Sequence, residues 1–138
     1  MICHGKSSVK GINELTLEDD QGNRVQVPDG QLANWYTPRL QLIVFQSCKT
    51  AVVPPDQLPF ASMAGKMIAL GVPAVVAMQD YVAMDDARYF SAAFYRSLLR
   101  DGLVDLAANY GRLAMKDRAG QANWSIPALY QRLKGGLL

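Results

Sequence analysis

A chain of 138 residues suits one domain, residues 1–138, and can bury roughly two-thirds of the surface that its unfolded form exposes. Half of the residues are hydrophobic and 19% are charged, a globular rather than a disordered composition. The net charge of +2, with no basic run, gives no reason to expect nucleic acid, and neither a membrane span nor a signal peptide can be read from the apolar stretches.

Two cysteines, Cys3 and Cys48, cannot make a disulfide framework, and without an export signal the expected compartment is the reducing cytoplasm. In chain order, residues 14–18 and 24–27 alternate apolar and polar side chains around a polar turn that contains Asp19, Asp20 and Gly22, which predicts a hairpin. In that turn Asp19 and Asp20 read as solvated residues rather than paired acids. Pro28, Asp29 and Gly30 punctuate the chain, and a short helix is predicted over 31–36, with Trp35 and Tyr36 on its inner face.

Residues 40–45 and 72–78 are apolar runs of the kind that form strands buried on both faces. Between them, residues 59–70 carry Phe60, Met63, Ala64, Met67 and Ile68 on one helical face, with Gly71 placed to close the helix. Strand, helix and strand form a βαβ unit with parallel strands. A helix over 85–100 is predicted next, with Asp85 as N-cap, Phe90, Phe94 and Leu98 along one side and Gly102 as its stop. A further helix over 105–117 is read with Leu106, Tyr110 and Leu113 inward, followed by a loop over 120–123. A last strand over 127–133 is expected to be anchored by Trp124. The fold class is α/β, with no internal repeat and no linker.

Open parallel sheets place working residues just past the carboxyl ends of their strands. Met1 to Cys3 read as the tail of one strand, with His4 and Gly5 after it; the strand over 40–45 is followed by Ser47 and Cys48. A thiol nucleophile needs a group that exchanges protons near neutral pH, and His4 is the only histidine in the chain. The plain reading stands beside this one: a lone cysteine after an apolar strand is ordinarily a small core residue, and a lone histidine near a chain start a surface one. Cys3 reads as buried. A metal site is disfavoured, because Cys3 and His4 are adjacent and point to opposite faces of an extended chain. No metal and no cofactor are expected.

Several stretches, in order, resemble the CHAT domain, a caspase-like domain often found with TPR repeats and similar to the catalytic domain of separase. They are His4-Gly5, residues 15–19 (LTLED), residues 42–50 (LIVFQSCKT), residues 64–79 (AGKMIALGVPAVVAMQ), Asp86-Ala87, Phe94-Tyr95, and Trp124 with residues 127–130 (PALY). The spacing of His4 and Cys48 is also close to the roughly 50 residues between the caspase histidine and cysteine. The resemblance implies a caspase-like three-layer sandwich with a mainly parallel sheet and flanking helices. It implies a cysteine peptidase of the clan CD kind: Cys48 as nucleophile, His4 as general acid and base, and the backbone N–H groups of Gly5 and Cys48 as the oxyanion hole. Preorganised donors of that kind are worth about 3–4 kcal/mol each.

Separase-like members carry a pocket aspartate past the strand that follows the cysteine strand. Gln79 and Asp80 occupy that stretch here, with Asp80 the candidate for binding a basic substrate side chain; the alternative is that Asp80 is a solvated loop carboxylate. The expected partners are a protein or peptide substrate and regulatory repeat or sensor segments, with no nucleic acid and no membrane. Full CHAT domains have strands before the histidine strand. This chain is therefore expected to be truncated at its N-terminus, with an exposed strand edge open to self-association. The alternative function is a catalytically inactive interaction module on the same fold.

Overall fold

The computed structural model describes residues 4–7, 13–34, 39–47, 50–53, 61–119 and 122–138. Phe60, Trp35, Tyr36, Cys3 and Cys48, which the sequence singled out, lie outside the described residues, as does the expected strand tail at residues 1–3.

Two three-stranded sheets and four helices make up the described fold. The first sheet is antiparallel and holds β1 (His4–Ser7), β2 (Asn13–Glu18) and β3 (Arg24–Pro28) in that order. The hairpin predicted from alternation is the β2–β3 pair. Asp19 organises its turn: Oδ1 accepts from the backbone N–H groups of Gln21 (2.9 Å) and Asn23 (2.8 Å). Those N–H groups, that of Asn23 first, hold the Asp19 carboxyl below its ordinary pKa. Gly22 adopts φ of 82°, where a side chain would be strained.

Helix α1 (Asp29–Ala33) begins two residues earlier than the sequence suggests. Asp29 in its first turn is buried and forms an ion pair with Lys66.

The second sheet holds β4 (Leu42–Val44), β5 (Ala74–Met78) and β6 (Pro127–Gln131) in that order. Helix α2 (Met63–Ala69) crosses from β4 to β5, so these strands are parallel. It starts at Ser62, whose Oγ accepts from Gly65 N (3.1 Å), rather than at residue 59. It stops where Gly71 takes φ of 106°, with Gly71 N donating to Ile68 O and Val72 N to Met67 O, the paired bonds of a Schellman closure.

The expected mainly parallel sheet is mixed among the described residues, because β6 runs antiparallel to β5. Helices α3 (Met84–Asp101) and α4 (Val104–Ala119) pack against each other as an antiparallel pair, reversing direction at Gly102 (φ 69°). Two helices return the chain to the sheet edge it left, so the next strand must run backwards. Pro127 opens β6 at the sheet edge, where a missing N–H costs least.

β5 has almost no exposed surface: Ala74, Val75, Val76, Ala77 and Met78 are each at most 1% exposed. Val75 and Ala77 pack with Met63, Ala64 and Met67 of α2, whereas Ala74, Val76 and Met78 pack with Phe90 and Phe94 of α3 and Val104, Ala107, Ala108 and Met115 of α4. The sheet therefore lies between helical layers.

Two sequence expectations for the helices need correction. Asp85 does not cap α3; Ala83 is the N-cap and makes no side-chain cap bond, and Asp85 and Asp86 sit in the first turn, where acidic groups complement the helix dipole. The inward face of α4 is not Leu106, Tyr110 and Leu113, for Leu113 is 48% exposed and Tyr110 42%. It is Val104, Ala107, Ala108, Gly111 and Met115. Phe90 and Phe94, stacked at 5.5 Å, fill the space between the helices, so α4 must present small residues. Trp124 is likewise half-exposed, in a 3₁₀ turn (Ala122–Ser125) ahead of β6.

A Cβ on Gly111 would lie 2.6 Å from Phe90 Cδ2. Gly111→Ala is therefore expected to destabilise the fold by about 1–3 kcal/mol, while Leu113→Ala stays within about 0.5 kcal/mol of wild type. Urea unfolding of both variants checks this, and equal stabilities would contradict the close-packed α3–α4 contact.

Candidate active site

The carboxyl ends of the parallel strands β4 and β5 form one sheet edge, and the loop that carries Cys48 starts there. Phe45 N donates to Val76 O (2.8 Å), extending the ladder one bond past β4. The chain then leaves the sheet and returns at Ala51, whose N–H donates to Met78 O (2.9 Å). Within this excursion Ser47 and Thr50 are buried. Thr50 Oγ1 donates to Ser47 O (3.0 Å) and accepts from Met78 N (3.1 Å). Thr50 O accepts from Ala64 N (3.2 Å) in the first turn of α2. On the other side, Gln46 Nε2 donates to Ser91 Oγ of α3. The loop is thus tied to β5, α2 and α3 on both sides of the two residues, 48 and 49, that lie outside the description.

His4 and Gly5 do not follow a strand as the sequence suggested; they are strand residues of β1, paired with Thr16 and Leu15. The reason is the hairpin: β2 offers an antiparallel edge, and the chain pairs along it. The His4 side chain lies outside the described residues. The backbone of this sheet is nevertheless fixed relative to the loop. Leu15, the partner of Gly5, is 4% exposed and belongs to the same apolar cluster as Phe45 and Ala51, the two residues that anchor the loop. Leu17 and Leu32 pack against that cluster.

Gln79 and Asp80 lie at the same sheet edge, just past β5. Both are exposed. Gln79 N donates to Ile126 O (2.9 Å) and its Nε2 to Ser125 O (3.3 Å), so this side chain is engaged with the segment before β6. Asp80 Oδ1 accepts from Tyr81 N (2.8 Å).

Displaced pKa values occur on other elements. Arg100 holds Asp101 below the carboxylate range, and burial raises Tyr95 and lowers Arg112. Among the described residues no group of three or more His, Cys, Asp or Glu side chains could hold a metal ion, and no helix is long and apolar enough to cross a membrane.

Two features escaped the sequence. Thr50 carried no signal beyond a hydroxyl near a cysteine. Asp29 and Lys66 are far apart in sequence, so nothing local announces their pairing. This ion pair joins α1, and with it the antiparallel sheet, to α2, whose first turn holds Thr50.

Residues 1–130 match the family model described as CHAT domain. No curated protein and no solved structure matches the chain.

Asp29 is largely buried, whereas Lys66 is 39% exposed, which places the pair between surface and interior cases. A double-mutant cycle with Asp29→Asn and Lys66→Met is expected to give a coupling of about 1 kcal/mol by denaturant unfolding. Strict additivity would remove the ion pair from the account.

Proposed function

Because the chain belongs to the CHAT domain family, a caspase-like family related to peptidases, we propose that it is a cysteine endopeptidase domain. In this reading the Cys48 thiolate attacks a peptide carbonyl carbon, and the backbone N–H groups of Gly5 and Cys48 hold the oxyanion. The carbon–nitrogen bond then breaks, and the leaving amine takes a proton from the His4 imidazolium. Water, deprotonated by His4, attacks the resulting thioester; the carbon–sulfur bond breaks, releasing the carboxylic acid and restoring the thiol. Asp80 offers a carboxylate for a basic side chain before the cleaved bond, with Gln79 beside it.

The observation that carries the reading is the shared cluster of Leu15, Phe45 and Ala51. It joins the backbone partner of Gly5 to both anchors of the Cys48 loop. A second reading, a catalytically inactive interaction module, is favoured by the outer row of α3, where Met84 (70% exposed) and Leu99 (87%) face solvent.

A peptidyl acyloxymethyl ketone with a terminal arginine separates the two. The peptidase reading expects Cys48 to be labelled at least about 100-fold faster than a free cysteine, with His4→Ala losing most of that gain. Asp80→Asn is expected to lower the preference for arginine over a neutral residue by about tenfold. Labelling at the free-thiol rate, unchanged by His4→Ala, would support the interaction module instead.

A further inference from the structure

We propose that the cleft between α1 and α2 binds a small molecule that carries a primary carboxamide on an apolar body. Such binding does not depend on peptidase activity.

The cleft has a volume of about 370 Å³, within the roughly 300–1,000 Å³ range of small-molecule sites. It lies away from the sheet edge described above. The first turn of α2 bonds to Thr50 at that edge, whereas the cleft is lined by Lys66, Met67, Ala69 and Leu70 toward the other end of the helix. Gly30 of α1 borders it as well. A Cβ on Gly30 would meet nothing within 4 Å beyond its own helix and chain neighbours, so the space there is open.

The polar end of the cleft is the Asp29–Lys66 pair. Asp29 is 8% exposed, and its Oδ2 accepts from the Lys66 ammonium. Its Oδ1 has no hydrogen-bond partner among the described residues. A buried carboxylate oxygen without a donor is costly, and so it marks a place for one. Lys66 carries three N–H groups, of which one goes to Asp29, and its side chain is 39% exposed. An acceptor and donors therefore stand side by side against the apolar wall of Met67, Ala69 and Leu70.

The two charges of the pair offset each other, and this selects the ligand. A carboxylate would be drawn to Lys66 and repelled by Asp29, and an ammonium group the reverse. A primary carboxamide is uncharged and presents one N–H and its C=O on the same edge. The N–H donates to Asp29 Oδ1, and the C=O accepts from Lys66 Nζ. The apolar body then covers Leu70, which is 42% exposed.

Three compounds with one apolar body test this: 4-phenylbutanamide, 4-phenylbutanoate and 4-phenylbutylamine, each titrated into protein labelled with carbon-13 at the methionine methyls. The amide is expected to shift the Met67 methyl saturably with a Kd below about 1 mM, at least about fivefold tighter than either charged compound. Met115, which belongs to the other apolar cluster, stays unshifted. Gly30→Leu fills the open space without touching the ion pair and weakens the amide at least about tenfold. Asp29→Asn moves the preference at least about fivefold toward the carboxylate, and Lys66→Met moves it as far toward the amine. If either of these variants does not fold, the ranking in the wild type and the effect of Gly30→Leu decide. No saturation by about 10 mM, equal affinities for the three compounds, or an unchanged affinity in Gly30→Leu overturns the proposal. A Met115 shift as large as that of Met67 does the same, since it marks non-specific binding.

Discussion

The structure depends on the complete burial of β5. Five residues with almost no contact with water must satisfy every backbone group within the protein and fill both faces with apolar partners. Each neighbouring element answers one of those demands. β4 and the loop after it take the bonds on one side, and β6 takes those on the other. Helix α2 covers one face, and the α3–α4 pair covers the second. The demand peaks at Met78, where β4 has ended but the N–H and C=O still need partners. The chain meets it with Thr50 and Ala51, which follow Cys48 closely in the sequence.

The antiparallel sheet that carries His4 and Gly5 is attached by two different kinds of contact. Leu15, Leu17 and Leu32 join the apolar cluster around α2, a non-directional contact that resists sliding only weakly. Asp29 and Lys66 add a directional one at the edge of that cluster. Together they relate the β1 backbone to the loop after β4. A two-residue mechanism of the proposed kind needs such a relation, because its partners come from distant parts of the chain and must meet within hydrogen-bond reach.

What could be read from the sequence was what is decided locally. The hairpin around Asp19, the closure at Gly71, the stop at Gly102 and the buried character of β5 follow from side chains within a few residues of each other. The inner face of α4 was misread because large apolar residues suggested it, whereas Phe90 on the facing helix leaves no room for a side chain at Gly111. Both helices of the return were read from the sequence, but their consequence, a β6 antiparallel to β5, was not drawn. Asp29, the first residue of α1, pairs with a lysine on another helix, and no local pattern encodes that contact. His4, Gly5 and Cys48 were singled out by their order and by resemblance to a family whose model the chain matches. Thr50 was not, since its importance comes from the point at which a strand ends.

The central claim is that His4 and Cys48 work as a pair. Because His4 is the only histidine, its imidazole gives a single carbon-detected signal that can be followed by NMR from pH 4 to 10. A thiolate beside it would raise the midpoint at least about one unit above the usual 6.5, and Cys48→Ala would return it to about 6.5. A midpoint near 6.5 in the wild type, unmoved by Cys48→Ala, would contradict the account.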